Sequence, residues 1–160
     1  LQGGIIKAMK SAHPYEEVAH DIYGLSNEFN ETGSGIIGEL ETTVDEAGFL
    51  QVLNAIFKTP CIRHTAFTGR KVRKVALCGG AGSFLTTTAK AAGADVYVSS
   101  DIKYHEFFDA DGRLLLADIG HYESEQFTID LLFDILRENF PNFAVLKTGV
   151  NTNPVHYFVV

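Results

Sequence analysis

The chain has 160 residues, of which 46% are hydrophobic and 21% charged, the balance of a globular protein that can bury a core. A formal net charge of −7, with no basic run denser than Arg70-Lys71-Val72-Arg73-Lys74, leaves no concentrated positive face, so nucleic acid is not expected as a main partner. No apolar run reaches the roughly 20 residues of a membrane span, no leader pattern is visible, and Cys61 and Cys78 make no disulfide framework, so a cytoplasmic location is expected.

In chain order, Gly4 to His13 reads as a helix stopped at His13-Pro14. Val18 to Tyr23 alternates well enough for a strand, Ser26 to Gly35 is a loop by composition, and Gly35 to Leu40 is a short strand. Thr43 offers a helix start, with Phe49, Leu50, Leu53, Ile56 and Phe57 at helical spacing and Pro60 beyond its end. A regular alternation follows. Val72–Cys78 is a strand, Gly79-Gly80-Ala81-Gly82-Ser83 a tight loop, and Phe84–Ala92 a helix ended by Gly93. Ala94–Ser99 is a strand, Ile102–Ala110 a short helix, and Leu114–Ile119 a strand. Glu123–Asn139 is the longest helix, with an apolar stripe of Phe127, Leu131, Leu132, Ile135 and Leu136. Ala144–Thr148 and His156–Val160 are closing strands. The expected fold is α/β, with a mostly parallel or mixed sheet and flanking helices.

In such a sheet the carboxyl ends of neighbouring parallel strands open on one crevice. Two of these ends carry an acid and a histidine four residues apart: Asp101 with His105, and His121 with Glu125. Four-residue spacing at a helix start puts both groups on one face. Imidazole with carboxylate suits zinc, manganese or iron, but one such pair is half of a catalytic site, which usually has three protein ligands. A structural reading stands beside this one. His121 could cap a turn, Glu125 could favour a helix amino end, and Asp101 could cap a short helix. The glycine segment half-matches a dinucleotide fingerprint, with Leu85 where its third glycine belongs, and also reads as a plain strand-to-helix turn. His13-Pro14-Tyr15-Glu16-Glu17 reads as a proline stop followed by solvated acids, and Cys61-Ile62-Arg63-His64 as incidental spacing.

Several segments together resemble a known family. Ala12-His13-Pro14-Tyr15-Glu16-Glu17-Val18, Gly35-Ile36-Ile37-Gly38-Glu39-Leu40, Gly79-Gly80-Ala81-Gly82-Ser83, Ser100-Asp101-Ile102-Lys103-Tyr104-His105, Gly120-His121-Tyr122-Glu123-Ser124-Glu125 and Asn151-Thr152-Asn153-Pro154-Val155-His156-Tyr157 are similar, in order, to blocks of the NGG-one-interacting-factor-three family, also called GTP cyclohydrolase I type 2 homologues. The resemblance implies two similar α/β halves, a two-metal site at their junction and a toroidal homohexamer. It implies that residues 1–40 are the tail of an inserted ferredoxin-like, PII-like domain and that 41–160 are the carboxyl-terminal half. Metal ligands fall on His121 and Glu125. Asp101 and His105 match a motif beside the site, with Ser100 where glycine is usual, and are expected to orient ligands or move protons. The family's other ligands include a His-His pair, which this sequence lacks. With a chain starting at Leu1 rather than Met, the carboxyl-terminal part of a longer protein is expected. The function so implied is a metal-dependent hydrolase on a nucleotide-like small molecule, with two divalent ions per intact subunit. Its competitors are a regulatory or scaffold metal protein whose insert senses a small molecule, and a nucleotide-binding module using the glycine segment and Asp101.

Overall fold

The computed structural model describes residues 2–24 and 32–158. Packing divides the chain into two compact units, Leu1–Thr32 and Gly33–Val160. The first contains helix α1 (Gln2–Ala12), which buries none of its residues. The His13 N–H still bonds the Met9 carbonyl at 3.0 Å, and Pro14 then ends the helix. The strand expected at Val18–Tyr23 does not form. A lone alternating segment has nowhere to place its backbone hydrogen bonds without a neighbouring strand.

The second unit is built on a five-stranded mixed sheet in the order β1-β3-β4-β5-β2. Its strands are β1 (Ile36–Asp45), β2 (Arg63–His64), β3 (Lys71–Ala81), β4 (Val96–Ser100) and β5 (Leu115–Asp118). The central pairs β3/β4 and β4/β5 are parallel, whereas β1 and β2 close the edges antiparallel. Every residue of β4 and β5 is buried. Such unbroken burial marks parallel strands covered on both faces. Alternation from Leu114 into β5 feeds two cores: Leu114 and Leu116 join Tyr97, Ile102 and Ala76 on one face. Leu115 and Ala117 join Val96, Val98, Phe49 and Leu53 on the other.

Several boundaries differ from the sequence reading, each for a physical reason. β1 continues past Leu40 to Asp45 because Thr42, Thr43 and Val44 are β-branched and favour extended backbone. β1 thus runs through residue 40. Asp45, not Thr43, starts helix α2 (Glu46–Phe57), its Oδ1 accepting from the Gly48 N–H at 2.7 Å. The glycine segment is not a loop: β3 runs through Gly79-Gly80-Ala81. A 3₁₀ turn, Ser83–Leu85, then leads into the six-residue helix α3 (Thr86–Ala91). Tyr104–Ala110 is 3₁₀ rather than α-helical. The expected long helix is broken into α4 (His121–Glu125) and α5 (Thr128–Asn139). Neither Ala144–Thr148 nor residues 156–158 form strands, and residues 159–160 of the last expected strand lie outside the described residues. Among the described residues, no helix is long and apolar enough to cross a membrane.

Candidate functional site

The carboxyl ends of β4 and β5 carry the residues singled out by spacing. Asp101 follows β4 with φ 55°, a left-handed conformation that aspartate tolerates better than most side chains. Gly120 follows β5 with φ 92°, and a Cβ there would run into the Glu123 carboxylate and reach within 3.0 Å of the Tyr157 hydroxyl. This turn sets His121 as the first residue of α4. His121 Nδ1 lies 2.7 Å from Asp101 Oδ2, and its Nε2 lies 3.3 Å from Glu125 Oε2, one helical turn on. All three side chains are half-exposed. The hydrogen bond to Asp101 holds the His121 pKa above its ordinary value, against the opposing effect of desolvation, and the Asp101 and Glu125 charges add to the rise.

The proton positions follow from the acceptors. An ionised Asp101 only accepts, so Nδ1 of His121 donates to it. Nε2 then faces the Glu125 carboxylate with either a second proton or a bare lone pair. Two lone-pair bearers 3.3 Å apart repel unless a cation sits between them. A proton or a metal ion would satisfy that arrangement.

The glycine segment shapes the floor beneath this pair. A Cβ on Gly80, where φ is 64°, would stand 2.5 Å from Glu125 Oε1 and 3.5 Å from His121 Cε1. Its N–H donates to Ser124 Oγ at 2.8 Å, and its carbonyl accepts from Ser100 Oγ at 2.6 Å and Ser99 Oγ at 3.2 Å. The Gly82 carbonyl accepts from the Tyr97 hydroxyl at 2.6 Å, and burial pushes that phenol up to about 12. The Gly80 N–H, the one of these groups that could meet an anion, is thus committed to Ser124.

His105 sits on the 3₁₀ segment, exposed and edge-on to Tyr104 with ring centroids 5.2 Å apart. It makes no hydrogen bond to Asp101, His121 or Glu125. The structure therefore brings Asp101, His121 and Glu125 together and leaves His105 outside that cluster. Sequence reasoning passed over several neighbours. Asp101, Asp118, Gly120, His121, Glu123 and Tyr157 line a cleft of about 370 Å³, with Cys61 and Arg63 at its side. Burial, with the Glu123 carboxylate, raises the Tyr157 pKa. A buried acid closing an apolar strand, as Asp118 closes β5, was the available signal.

The match to known proteins is extensive. The family model described as Duf34/NIF3 (NGG1p interacting factor 3) matches residues 5–154. The chain belongs to the Duf34/NIF3 family. Among curated Duf34/NIF3 relatives it is 34% identical over 155 residues to the "GTP cyclohydrolase 1 type 2 homolog" of Halalkalibacterium halodurans, covering 94% of this chain and 41% of that protein. A Mycobacterium leprae protein of the same name is 32% identical over 158 residues, covering 96% and 41%. Among solved structures, a Bacillus cereus protein related to NIF3 matches with TM-score 0.69 and 34% identity, over 98% of this chain and 44% of that one. A Staphylococcus aureus protein matches with TM-score 0.73 and 26% identity, over 98% and 46%. The chain thus spans less than half the length of these relatives.

The donor chemistry fits a divalent metal in part. His121 Nε2 and Glu125 Oε2 face one point, and Asp101 on Nδ1 is the outer partner that a ligating imidazole usually has. Among the described residues no group of three or more His, Cys, Asp and Glu side chains stands ready to hold an ion. The pair can supply one side of a metal site and needs further ligands to complete it.

Proposed function

We propose that this chain provides His121 and Glu125 as ligands of a dinuclear metal centre in a metal-dependent hydrolase of nucleotide-like substrates. The observation that carries this reading is the His121 imidazole held between two carboxylates, with Nδ1 committed to Asp101 and Nε2 turned toward Glu125. Zinc, manganese or iron matches that donor pair. A bound divalent ion would supply an activated water and would polarise the substrate. Asp101 fixes the imidazole tautomer and orientation and keeps the Nε2 lone pair available. Gly80 leaves room for the Glu125 carboxylate. His105, outside the cluster, is assigned a role in orienting ligands or moving protons in the intact protein. The remaining ligands come from the amino-terminal part of a longer protein, in keeping with the share of its relatives that this chain spans. The nucleotide substrate rests on the relatives' name.

The intact protein is proposed to be a cytoplasmic toroidal homohexamer. The apolar side chains that α5 leaves exposed, Leu131 at 60% and Leu132 at 53%, support burial in a larger assembly. Sedimentation velocity on the longer protein checks that size. The functional test is turnover of GTP by that protein with and without added manganese or zinc. Metal-dependent product formation that is lost in His121→Ala supports the hydrolase. Tight metal binding without turnover of any nucleotide would instead favour a regulatory or scaffold protein.

A further inference from the structure

Asp101 and His121 belong to different loops, one after β4 and one after β5. Each is half-exposed, and neither could hold a 2.7 Å contact by itself against solvent and side-chain entropy. One buried group touches both loops. Asp118, the last residue of β5, is 4% exposed. Its Oδ2 accepts from the backbone N–H of Ile102 at 3.1 Å, the residue directly after Asp101. Its Oδ1 accepts from the backbone N–H of Gly120 at 3.1 Å, the residue directly before His121. The third donor is the Arg63 guanidinium from β2, which forms an ion pair with Oδ2. The same Arg63 nitrogen also donates to the Ile102 carbonyl at 2.9 Å, and the guanidinium lies 5.4 Å from the Phe107 ring centroid.

From this arrangement we infer that Asp118, charge-compensated by Arg63, is the positioning residue that sets the Asp101–His121 pair. One oxygen fixes the turn that starts α4, and the other fixes the left-handed turn at Asp101. A carboxylate suits this task because it offers two acceptor oxygens at fixed separation, and its hydrogen bonds are charge-assisted. A buried carboxylate without a cation would be costly, and Arg63 supplies that charge while its remaining surface stays in solvent. Asp118 itself does not reach the cleft's metal-facing atoms. It acts through backbone, by deciding whether the imidazole meets Asp101 with Nδ1 protonated and Nε2 open. The inference deepens the metal-site reading and rests on it for its functional meaning, though not for its geometry.

The test reads the His121 ring directly. Imidazole nitrogen NMR on isotopically labelled chain, without metal and above the raised His121 pKa, reports which nitrogen carries the proton. In the unsubstituted chain His121 is expected chiefly as the Nδ1–H form, which the Asp101 acceptor favours over the Nε2–H form that an imidazole without such a partner prefers. Asp118→Asn, which keeps the side-chain shape but makes one acceptor a donor, is expected to shift the ring to a mixture dominated by Nε2–H. Arg63→Gln, at a side chain 57% exposed, is expected to fold and to shift the ring in the same direction by less. Leu53→Ala, which weakens the far core, is expected to lower stability and leave the ring unchanged, a separation that a merely structural Asp118 would not produce. A folded Asp118→Asn with an unchanged ring overturns the inference. Should Asp118→Asn fail to fold, an unchanged ring in Arg63→Gln overturns it. In the longer protein, Asp118→Asn is expected to weaken manganese binding by about tenfold or more, the loss typical of an outer-shell partner. If the ring responds as expected but the unsubstituted longer protein binds no metal, the metal reading fails and the positioning role stands.

Discussion

The ends of β4 and β5 and the helix α5 are built from similar amounts of apolar sequence and end in opposite situations. Along β4 and β5 every side chain is buried, and the loops beyond them are tied by Asp118, Ser124 and the serines that reach Gly80. Along α5 the apolar stripe is as regular, yet no residue is buried. Leu116 is 0% exposed, whereas Leu131 is 60% exposed. The lesson is that periodicity states which face of an element is apolar, while burial depends on what packs against it. Fixed geometry for chemistry is found where neighbours exist on both faces.

Truncations sharpen this contrast most strongly. Leu116→Ala should cost about 2–5 kcal/mol, the range for deleting a buried leucine side chain. Leu131→Ala should change stability by no more than about 0.5 kcal/mol, as at ordinary surface positions. Urea unfolding of both variants checks the pair, and equal losses would erase the contrast.

Next in size is Gly80→Ala. Its positive φ and the 2.5 Å approach to Glu125 Oε1 leave no room for a methyl group. The left-handed backbone alone should cost about 1–2 kcal/mol. The variant should also displace the Glu125 carboxylate, visible in its carboxyl NMR shift. A neutral Gly80→Ala would mean that the floor of the site is looser than its hydrogen bonds imply.

Asp45→Ala, which removes the cap of α2, should cost about 1 kcal/mol by thermal unfolding. Its effect lies on the opposite end of the unit's chemistry, so the ring nitrogens of His121 should not respond.

The smallest effect is the pH dependence of His121. Its pKa is raised in the folded chain, chiefly by the bond to Asp101. The stabilisation is therefore fully present below the unfolded value near 6.5 and is lost as pH rises through the folded value. For a half-exposed pair the size should stay below about 1 kcal/mol. Comparing unfolding free energies of the unsubstituted chain and Asp101→Asn across that window checks the sign. A gain in relative stability with rising pH would contradict it.

Much of this was legible in the sequence, for definable reasons. The strands Val72–Cys78, Ala94–Ser99 and Leu114–Ile119 were readable because buried parallel strands are rich in apolar and β-branched residues. The His121–Glu125 pairing followed from helical spacing, and the meeting of Asp101 with His121 from the common direction of parallel strands. The strand through Gly79-Gly80-Ala81 was not legible. Glycine reads locally as a turn, and the serines that hold this irregular stretch within the strand come from β4 and α4. The break at Gln126 was hidden because Phe127 keeps the helical period across it. The role of Asp118 depends on two amides that sequence alone does not place beside it.

The central claim is that His121 and Glu125 are metal ligands whose remaining partners lie beyond this chain. Calorimetric titration with zinc and with manganese, of this chain and of a longer protein carrying the amino-terminal half, tests it most directly. The account predicts weak binding by the chain alone and much tighter binding by the longer protein, lowered at least about tenfold by His121→Ala or Glu125→Ala. Tight stoichiometric binding by the chain alone that survives His121→Ala would contradict it.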